Sequence, residues 1–325
     1  MRSAGSLSPV RTALAVATLA IAVVGNAVAQ PPASAQPPMI KRDTAMKVSD
    51  HVYVILDDNV GMVPNVGIVV GERATLIVDT GLGPENGAIV LGEARKLSDN
   101  TEFHLTATHF HPEHDLGATA FPADAKMVRW RAQQAEADEL GTQMKERFAS
   151  FSPANAELLK NASHRPPDTL FDDDVTLDLG GVHVRVSGVG PNHTRGDTVM
   201  YVEEDRVLFT GDVVMSVFPG ASAQSASIEK WLENIAAFET FAPRVVVPAH
   251  GRLVDAAHLR VYGDYLTAVQ TQTRAAKRDG QSVEAAQAAI APALALEFAA
   301  MAPSGGQPAT GRINAAIQAA YREAP

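Results

Sequence analysis

Three histidines within six residues constrain this chain more than any other feature of its sequence. The run reads His109-Phe110-His111-Pro112-Glu113-His114. It follows an apolar segment, residues 103–108, which has the composition of a β-strand. His109 and His111 point to the same side of an extended chain, because side chains alternate there with period two. Neutral imidazoles beside a carboxylate are the ligand set that Zn²⁺ prefers at hydrolytic sites.

A histidine-rich surface loop is the alternative interpretation of this run. The run directly follows an apolar strand and ends in a turn at Pro112. Loops at the ends of strands are where α/β proteins place functional residues. We therefore favour a metal-binding loop.

Short apolar runs alternate with helical patterns over most of the chain. Strands are predicted at 52–56, 66–70, 75–78, 103–108, 175–177, 182–186, 199–202, 207–209 and 245–247, and helices at 84–97 and 228–240. Residues 130–163 are also predicted to be mostly helical, because Leu140, Met144 and Phe148 recur at every fourth position. This alternation predicts a layered α/β architecture.

From Asp255 onward the pattern becomes helical. Asp255 is a plausible N-cap, and Gly280 can end the helix that it begins. A last short helix is predicted around Ile313 and Ile317. These helices could cover the rest of the fold or form a dimer face, and the oligomeric state is left open.

The N-terminal segment resembles a signal peptide. Arg2 and Arg11 supply positive charge, residues 13–24 form a short apolar run, and Ala27-Val28-Ala29 offers small residues for cleavage. We predict a signal peptide at residues 1–29, a Pro/Ala-rich linker at 30–46, and a periplasmic or secreted protein. An N-terminal membrane anchor is the alternative, but the apolar run is short for a bilayer.

Composition restricts the partners. The chain contains no cysteine, so stability must come from its core and not from disulfides. Its formal net charge of −10 gives no electrostatic reason to bind nucleic acid or anionic lipid. We expect a small-molecule substrate, no nucleic acid, and no membrane attachment once the signal peptide is removed.

Five motifs, in order, resemble the landmarks of the metallo-β-lactamase superfamily. They are Val78-Asp79-Thr80-Gly81, the run at 109–114, Gly190-Pro191-Asn192-His193-Thr194, Phe209-Thr210-Gly211-Asp212 and Pro248-Ala249-His250-Gly251. The resemblance covers about residues 48–252. It implies a four-layer αβ/βα sandwich at 47–254, with a helical insertion at 130–168 and a C-terminal helical extension at 255–325.

The resemblance also implies a ligand set for two zinc ions. One zinc would be held by His109, His111 and His193. The other would be held by His114 and His250, with Asp212 bridging the two ions. Asp79 would orient the loop without binding metal itself. Capping of the turn before Gly81 is the alternative role for Asp79.

Glu113 departs from the family pattern, which usually has Asp at this position. The extra methylene moves the carboxylate by about 1.5 Å, whereas ligand distances tolerate only about 0.2 Å. Either the loop shifts and Glu113 binds the second zinc, or Glu113 acts as a base or an orienting group. Asp115 is a further candidate with a less suitable spacing. Glu113 and Asp212 are the predicted catalytic residues.

Two other segments are predicted to contact substrate. Residues 61–65 resemble a flexible flap, in which exposed Met62 and Val63 would touch an apolar group; an ordinary hairpin is the alternative. The insertion at 130–168 would build one wall of the pocket, and His164 within it is a weaker candidate contact.

The implied reaction is hydrolysis by a metal-bound hydroxide, since zinc lowers the pKa of bound water toward 7. Export and the family resemblance together favour a β-lactam as the substrate. Against this, dedicated β-lactamases usually carry Cys or Ser at the position of Asp212. The alternatives are a periplasmic esterase, lactonase or thioesterase, and a non-catalytic zinc-binding module.

Overall fold

The computed structural model describes Met1 and residues 37–222, 224–302 and 309–325. Apart from Met1, the predicted signal peptide at 1–29 lies outside the described residues, as does the first part of the predicted linker. The described part of that linker packs against the fold. The Ile40 amide donates to Asn86 Oδ1 at 2.7 Å, and the Ile40 side chain is buried.

The first sheet contains seven strands in sequence order. They are β1 (Met46–Lys47), β2 (Val52–Ile55), β3 (Val66–Val70), β4 (Ala74–Val78), β5 (Glu102–Thr106), β6 (Lys126–Trp130) and β7 (Thr169–Phe171). Strands β1 to β4 pair antiparallel, and β4 to β7 pair parallel. The helix α1 (Gly83–Leu97) makes the crossover from β4 to β5 that a parallel pair requires.

The second sheet contains five strands in the order β12-β11-β10-β9-β8. They are β8 (Asp174–Asp178), β9 (His183–Gly188), β10 (Thr198–Val202), β11 (Val207–Gly211) and β12 (Val245–Pro248). Only the β11–β12 pair is parallel, and α5 (Ile228–Thr240) connects these two strands.

Three apolar clusters define the layers. Side chains from both sheets, including Leu76 and Phe209, meet in one cluster between the sheets. The outer face of the first sheet buries Ile77 against Ile89 of α1. The outer face of the second sheet buries Leu208 against the helices that cover it. The order helix, sheet, sheet, helix confirms the predicted four-layer sandwich.

Three C-terminal helices complete the outer layer on the second sheet. They are α6 (Ala256–Arg278), α7 (Val283–Glu297) and α8 (Thr310–Glu323). Tyr262 of α6 and Ile317 of α8 share one buried cluster with Trp231 of α5. Asp255 caps α6 as predicted, because its side chain accepts from the backbone amides of residues 257 and 258.

The segment after β6 forms α3 (Arg131–Ala149) and α4 (Pro153–Leu159), as its periodicity predicts. The sequence did not predict β6 or β7. Strand β7 is short, and charged residues at 126 and 129 break the apolar pattern of β6. No helix in the described part of the chain is both long and apolar enough to span a bilayer.

Candidate metal centre

The candidate ligands lie where strands of both sheets end. His109 and His111 follow β5, and α2 (Pro112–Asp115) carries the next two candidates of the motif. The sequence predicted a turn at this position, and the structure has one helical turn. Pro112 suits its first position, since that amide has no helical partner. His193 precedes β10, Asp212 follows β11 and His250 follows β12.

The first ligand group consists of His109, His111 and His193. One ligand atom from each lies within 4.8 Å of the others. His193 Nε2 and His111 Nδ1 are 3.3 Å apart. Two tetrahedral zinc ligands at about 2.05 Å from the ion lie about 3.3 Å from each other. The spacing of these nitrogens therefore suits one shared zinc ion.

Two further groups adjoin the first. One consists of His109, His114 and Asp212, and the other of Glu113, His114 and His250. The Asp212 carboxylate lies 3.5 Å from His193 Nε2 through one oxygen and 3.9 Å from His250 Nε2 through the other. It therefore sits between the first group and His250, where the resemblance places a bridging ligand.

Glu113 reaches the centre despite its longer side chain. Its Oε1 is 3.7 Å from His114 Nε2, and the residue is 5% exposed. Although Glu stands where the family usually has Asp, the Glu113 carboxylate still lies in one group with His114 and His250. Its role as a ligand stays a prediction.

Unpaired atoms show that the centre suits a cation. In the described part of the chain, four buried atoms of the centre have no hydrogen-bond partner: His109 Nε2, His114 Nε2, Glu113 Oε2 and Asp212 Oδ1. Buried polar atoms without partners cost free energy, and native proteins rarely leave several together. Bound metal ions would satisfy these atoms, so the donor set fits the zinc that the fold implies.

Hydrogen bonds from behind fix the orientation of three histidines. Nδ1 of His114 donates to Asp79 Oδ2 at 2.9 Å, and Nδ1 of His250 donates to the Val63 carbonyl at 3.0 Å. Nδ1 of His193 donates to the Gly220 carbonyl. Each contact leaves Nε2 free to face the centre, which is how such partners select the ligand nitrogen.

Asp79 makes orienting contacts instead of capping its own turn. Its two oxygens accept from the Thr108 amide at 2.7 Å and the Thr108 hydroxyl at 3.0 Å, in addition to His114. Asp79 is buried and has a φ of +64°, a conformation that Asp tolerates better than most residues. It therefore ties β4 to the histidine loop.

The electrostatics favour neutral His109 and His111 and an ionised Asp212, whereas the carboxylates beside His114 favour its charged form. Burial, reinforced by neighbouring histidines, lowers the pKa of His109 well below its ordinary value and that of His111 to about 3. Burial also lowers the pKa of His114, but the Asp79 and Glu113 carboxylates outweigh it and hold that pKa well above its ordinary value. Burial raises the pKa of Asp212, and the surrounding histidines lower it by more.

Asp115 does not belong to the centre, so its candidacy as a ligand is wrong. Its carboxylate is fully buried and pairs with both terminal nitrogens of Arg129, at 3.0 and 2.8 Å. His164 Nδ1 binds the same carboxylate. His164 thus packs behind the metal loop and is not placed as the substrate contact that the sequence suggested. On the single turn of α2, Asp115 projects away from the side that carries Glu113 and His114.

The predicted flap is pinned down and partly buried. Val63 is only 2% exposed and lies in a core cluster, so the expectation of an exposed side chain is wrong. The cause is Asn65, whose side chain donates to the carbonyls of Pro248 and Gly251, at 2.8 Å each. Met62 is half-buried and packs on a cluster that includes Phe148 of α3.

The insertion supplies an apolar wall beside the first ligand group. The Phe148 ring centroid lies 5.8 Å from that of His111. The four-residue recurrence of apolar side chains placed Phe148 on a predicted helix. Its position beside His111 could not be predicted from that recurrence. That residues 130–168 build one wall of the pocket stays a prediction, because Phe148 is itself buried in a core cluster.

Sequence reasoning missed the residue that shapes the His193 loop. Asp197 accepts hydrogen bonds from the amides of Asn192 and Thr194 and from the Thr194 hydroxyl. Burial raises the pKa of Asp197 to about 6. The signal was present in the sequence, since Thr194 and Asp197 have the Ser/Thr-x-x-Asp/Glu spacing at which an acidic side chain reaches back to the earlier backbone amide.

Three ligand groups that overlap at His109 and His114, with the Asp212 carboxylate between them, lie at the end of two facing sheets, an arrangement that suits a metal-dependent hydrolase. The model of the metallo-beta-lactamase superfamily matches residues 60–250, more than half of the chain. The chain therefore belongs to this superfamily.

Curated relatives include enzymes that cleave different ester bonds. A linear primary-alkylsulfatase from Pseudomonas sp. (strain ATCC 19151) is 27% identical over 243 residues, covering 63% of this chain and 46% of that protein. An atrochrysone carboxyl ACP thioesterase from Aspergillus terreus is 23% identical over 228 residues, covering 69% and 62%. The human acyl-coenzyme A thioesterase MBLAC2 is 28% identical over 163 residues, covering 46% and 58%. The matches thus span about half to three fifths of these relatives.

Solved structures share the fold. The inverting sec-alkylsulfatase Pisa1 from Pseudomonas sp. superimposes with a TM-score of 0.63 at 16% identity, covering 85% of this chain and 49% of that one. A metallo-beta-lactamase from Pontibacter korlensis superimposes with a TM-score of 0.55 at 21% identity, covering 69% and 98%. At these identities the likeness concerns architecture alone.

Proposed function

We propose that this protein is an exported, zinc-dependent hydrolase that cleaves an ester-class bond, meaning a carboxylic ester, thioester or sulfate ester. One observation carries the proposal: the Asp212 carboxylate lies between two histidine groups whose buried atoms lack hydrogen-bond partners among the described residues.

The three overlapping ligand groups would together hold two ions. The first group would use His109, His111 and His193, and the second would use His114, His250 and Glu113, with Asp212 shared. When bound, zinc supplies the Lewis acidity that activates water and polarises the bond to be cleaved. The donor set of imidazole and carboxylate suits zinc better than harder cations.

The chain's own contribution is to hold these groups in place. Asp79 fixes the tautomer of His114, the Val63 carbonyl fixes that of His250, and the Gly220 carbonyl fixes that of His193. Each keeps the ligand nitrogen pointed inward, so little reorganisation is needed when the site is loaded.

Several observations favour an ester-class bond over a β-lactam. The curated relatives named above are an alkylsulfatase and thioesterases. The likeness to solved β-lactamases is one of fold. Phe148 and half-buried Met62 place apolar surface near His111, which suits an alkyl or acyl chain. Hydrolysis of a β-lactam stays a prediction, and the activity panel described below includes a β-lactam.

Export rests on the N-terminal sequence. Residues 1–29 have the charge, the apolar run and the small residues of a cleaved signal peptide. Expression of the full chain in a Gram-negative host, with N-terminal sequencing of the mature protein, tests this part. A protein that stays in the cytoplasm with its N-terminus intact would contradict it.

The test of the activity uses one panel on one preparation: an aryl ester, an acyl thioester, an alkyl sulfate and a chromogenic cephalosporin. We expect turnover of at least one of the first three, loss of turnover with a chelator, and its return with Zn²⁺. Chelator-resistant turnover would contradict the metal chemistry. Preference for the cephalosporin would contradict the bond class, and stoichiometric zinc without any turnover would support a non-catalytic zinc-binding module.

A further inference from the structure

One arginine of the last helix lies at the edge of the metal centre. Arg312 is in the first turn of α8, and the residue is exposed. One of its terminal nitrogens donates to the Phe218 carbonyl at 2.9 Å and lies 3.9 Å from Met215 Sδ. Both partners belong to the loop that follows Asp212, so α8 contacts the segment that forms one side of the centre.

Gly220 links this arginine to the first ligand group. A side chain at Gly220 would begin at a point 3.4 Å from His193 Nδ1 and 3.7 Å from the same Arg312 nitrogen. The His193 ring and the guanidinium thus face one small space, which the glycine leaves open. The guanidinium therefore lies near the Nδ1 edge of His193, whose Nε2 faces the centre, and the long arginine side chain can extend from there toward the outer part of a bound substrate.

The charge of Arg312 is not neutralised by the protein. No carboxylate of the described residues forms an ion pair with it. Arg195, close to His193 in sequence, differs in this respect, since it pairs with Glu136 at 3.5 Å and with Glu139 at 2.5 Å.

A purely structural role would use the Phe218 contact and nothing else. That contact occupies one terminal nitrogen, whereas a guanidinium offers five donors in a planar fork. The remaining donors suit a planar or tetrahedral oxyanion, which arginine binds in bidentate geometry.

We propose that Arg312 recognises an anionic group of the substrate, a carboxylate or other oxyanion separate from the bond that is cleaved. The inference rests on the proposed hydrolase function and names its substrate class: esters that carry a negative charge at one end. It also gives α8 a role in specificity besides covering the second sheet.

The kinetic test compares two esters that differ by one charge, p-nitrophenyl butyrate and the mono-p-nitrophenyl ester of glutaric acid, on the zinc-loaded protein. We expect Arg312→Ala to raise KM for the charged ester about tenfold, as loss of one partly exposed charge-assisted contact does, and to leave the neutral ester unchanged. Arg312→Lys should give an intermediate KM for the charged ester, because lysine keeps the positive charge but lacks the planar guanidinium that binds an oxyanion through two hydrogen bonds.

The matched control is Arg278→Ala. Arg278 is also exposed and also lies on a C-terminal helix, but it is 20 residues from His258, the residue of α6 that binds the Met215 carbonyl. That separation is about 30 Å along the helix. The control removes the same net charge and should change neither KM. An equal effect of both variants would overturn the proposal.

A binding measurement makes the inference independent of turnover. Calorimetry on zinc-loaded protein should give tighter binding of glutarate than of butyrate, and Arg312→Ala should abolish that difference. If the wild type shows the difference but hydrolyses no ester, the proposed function fails and Arg312 remains an anion-binding residue. If the wild type hydrolyses both esters with equal KM and binds both acids equally, the function stands and the inference on Arg312 is overturned.

Discussion

Asp79 lies beneath the metal centre and binds two of its neighbours at once. Its carboxylate accepts from the Thr108 amide and hydroxyl and from His114 Nδ1. All three residues are buried, so the contacts are not weakened by competing water.

Asp79→Asn should weaken zinc binding by 10- to 100-fold, the usual cost of losing such a partner. The amide can present an N–H to His114 and so favour the wrong tautomer. Competition with a chromophoric chelator measures the affinity.

The control is Asp205→Asn. Asp205 also binds a histidine, His51, at 2.8 Å, but it does so away from the centre. Zinc affinity should be unchanged in the control. Equal affinities in wild type and Asp79→Asn would show that the orienting contact has no role in metal binding.

Glu113 allows a second test at the level of one side chain. If it binds the second ion, Glu113→Ala should lose about one metal equivalent, because a missing ligand leaves that ion with too few donors. Glu113→Asp should keep the metal, since it restores the family pattern. Elemental analysis of both variants measures this, and two tightly held zincs in Glu113→Ala would rule out a ligand role.

At the scale of elements, a buried ion pair fastens α2 to the fold. Arg129 of β6 pairs with Asp115 of α2, and its guanidinium also donates to Gln133 of α3 at 3.2 Å. The Gln133 side chain in turn donates to the carbonyls of Ala107 and Gly196. These carbonyls belong to the histidine loop and the His193 loop, so one network supports both.

Arg129→Met should destabilise the protein by about 3–5 kcal/mol, because it removes the guanidinium that pairs with the buried Asp115 charge and leaves only the His164 contact. Urea unfolding of the zinc-loaded protein measures the free energy of unfolding. Arg131→Met is the matched control: Arg131 pairs with Asp172 at 2.6 Å on the exposed surface, and its loss should matter little. A similar small effect of both substitutions would contradict the account of α2.

The candidate metal ligands could be predicted from the sequence, whereas the contacts that hold them in place could not. The structure brings together all seven residues that the motifs predicted as metal ligands, although their role as ligands stays a prediction. The orientation of Asp115 could not be predicted, because it depends on the ion pair with Arg129. Arg129 lies in β6, a strand that was not predicted because charged residues break its apolar pattern. The burial of Val63 depends on Asn65 reaching Pro248 and Gly251, and sequence spacing does not reveal such long-range contacts.

At the scale of the whole molecule, the C-terminal helices and α5 form one outer layer that shares a buried cluster with the second sheet. Trp231 of α5 donates to the Val213 carbonyl at 2.7 Å, in the loop after Asp212. Glu323 of α8 accepts from the Ile228 amide at 3.0 Å, at the start of α5. The outer helical layer thus supports the loop that carries the bridging candidate.

Ile317→Ala should therefore lower the free energy of unfolding by about 2–5 kcal/mol, since it opens a cavity in a fully buried cluster. Val261→Ala on α6 is the control, because Val261 is 40% exposed and its loss removes little burial. Equal stabilities would show that the helices fold apart from the sandwich.

The most direct test of the central claim is a zinc titration of metal-free protein while hydrolysis of an aryl ester or thioester is followed. We expect no turnover without metal and a rise with added zinc that levels off at about two equivalents, as a paired site requires. Full turnover by protein shown to contain no metal would contradict it.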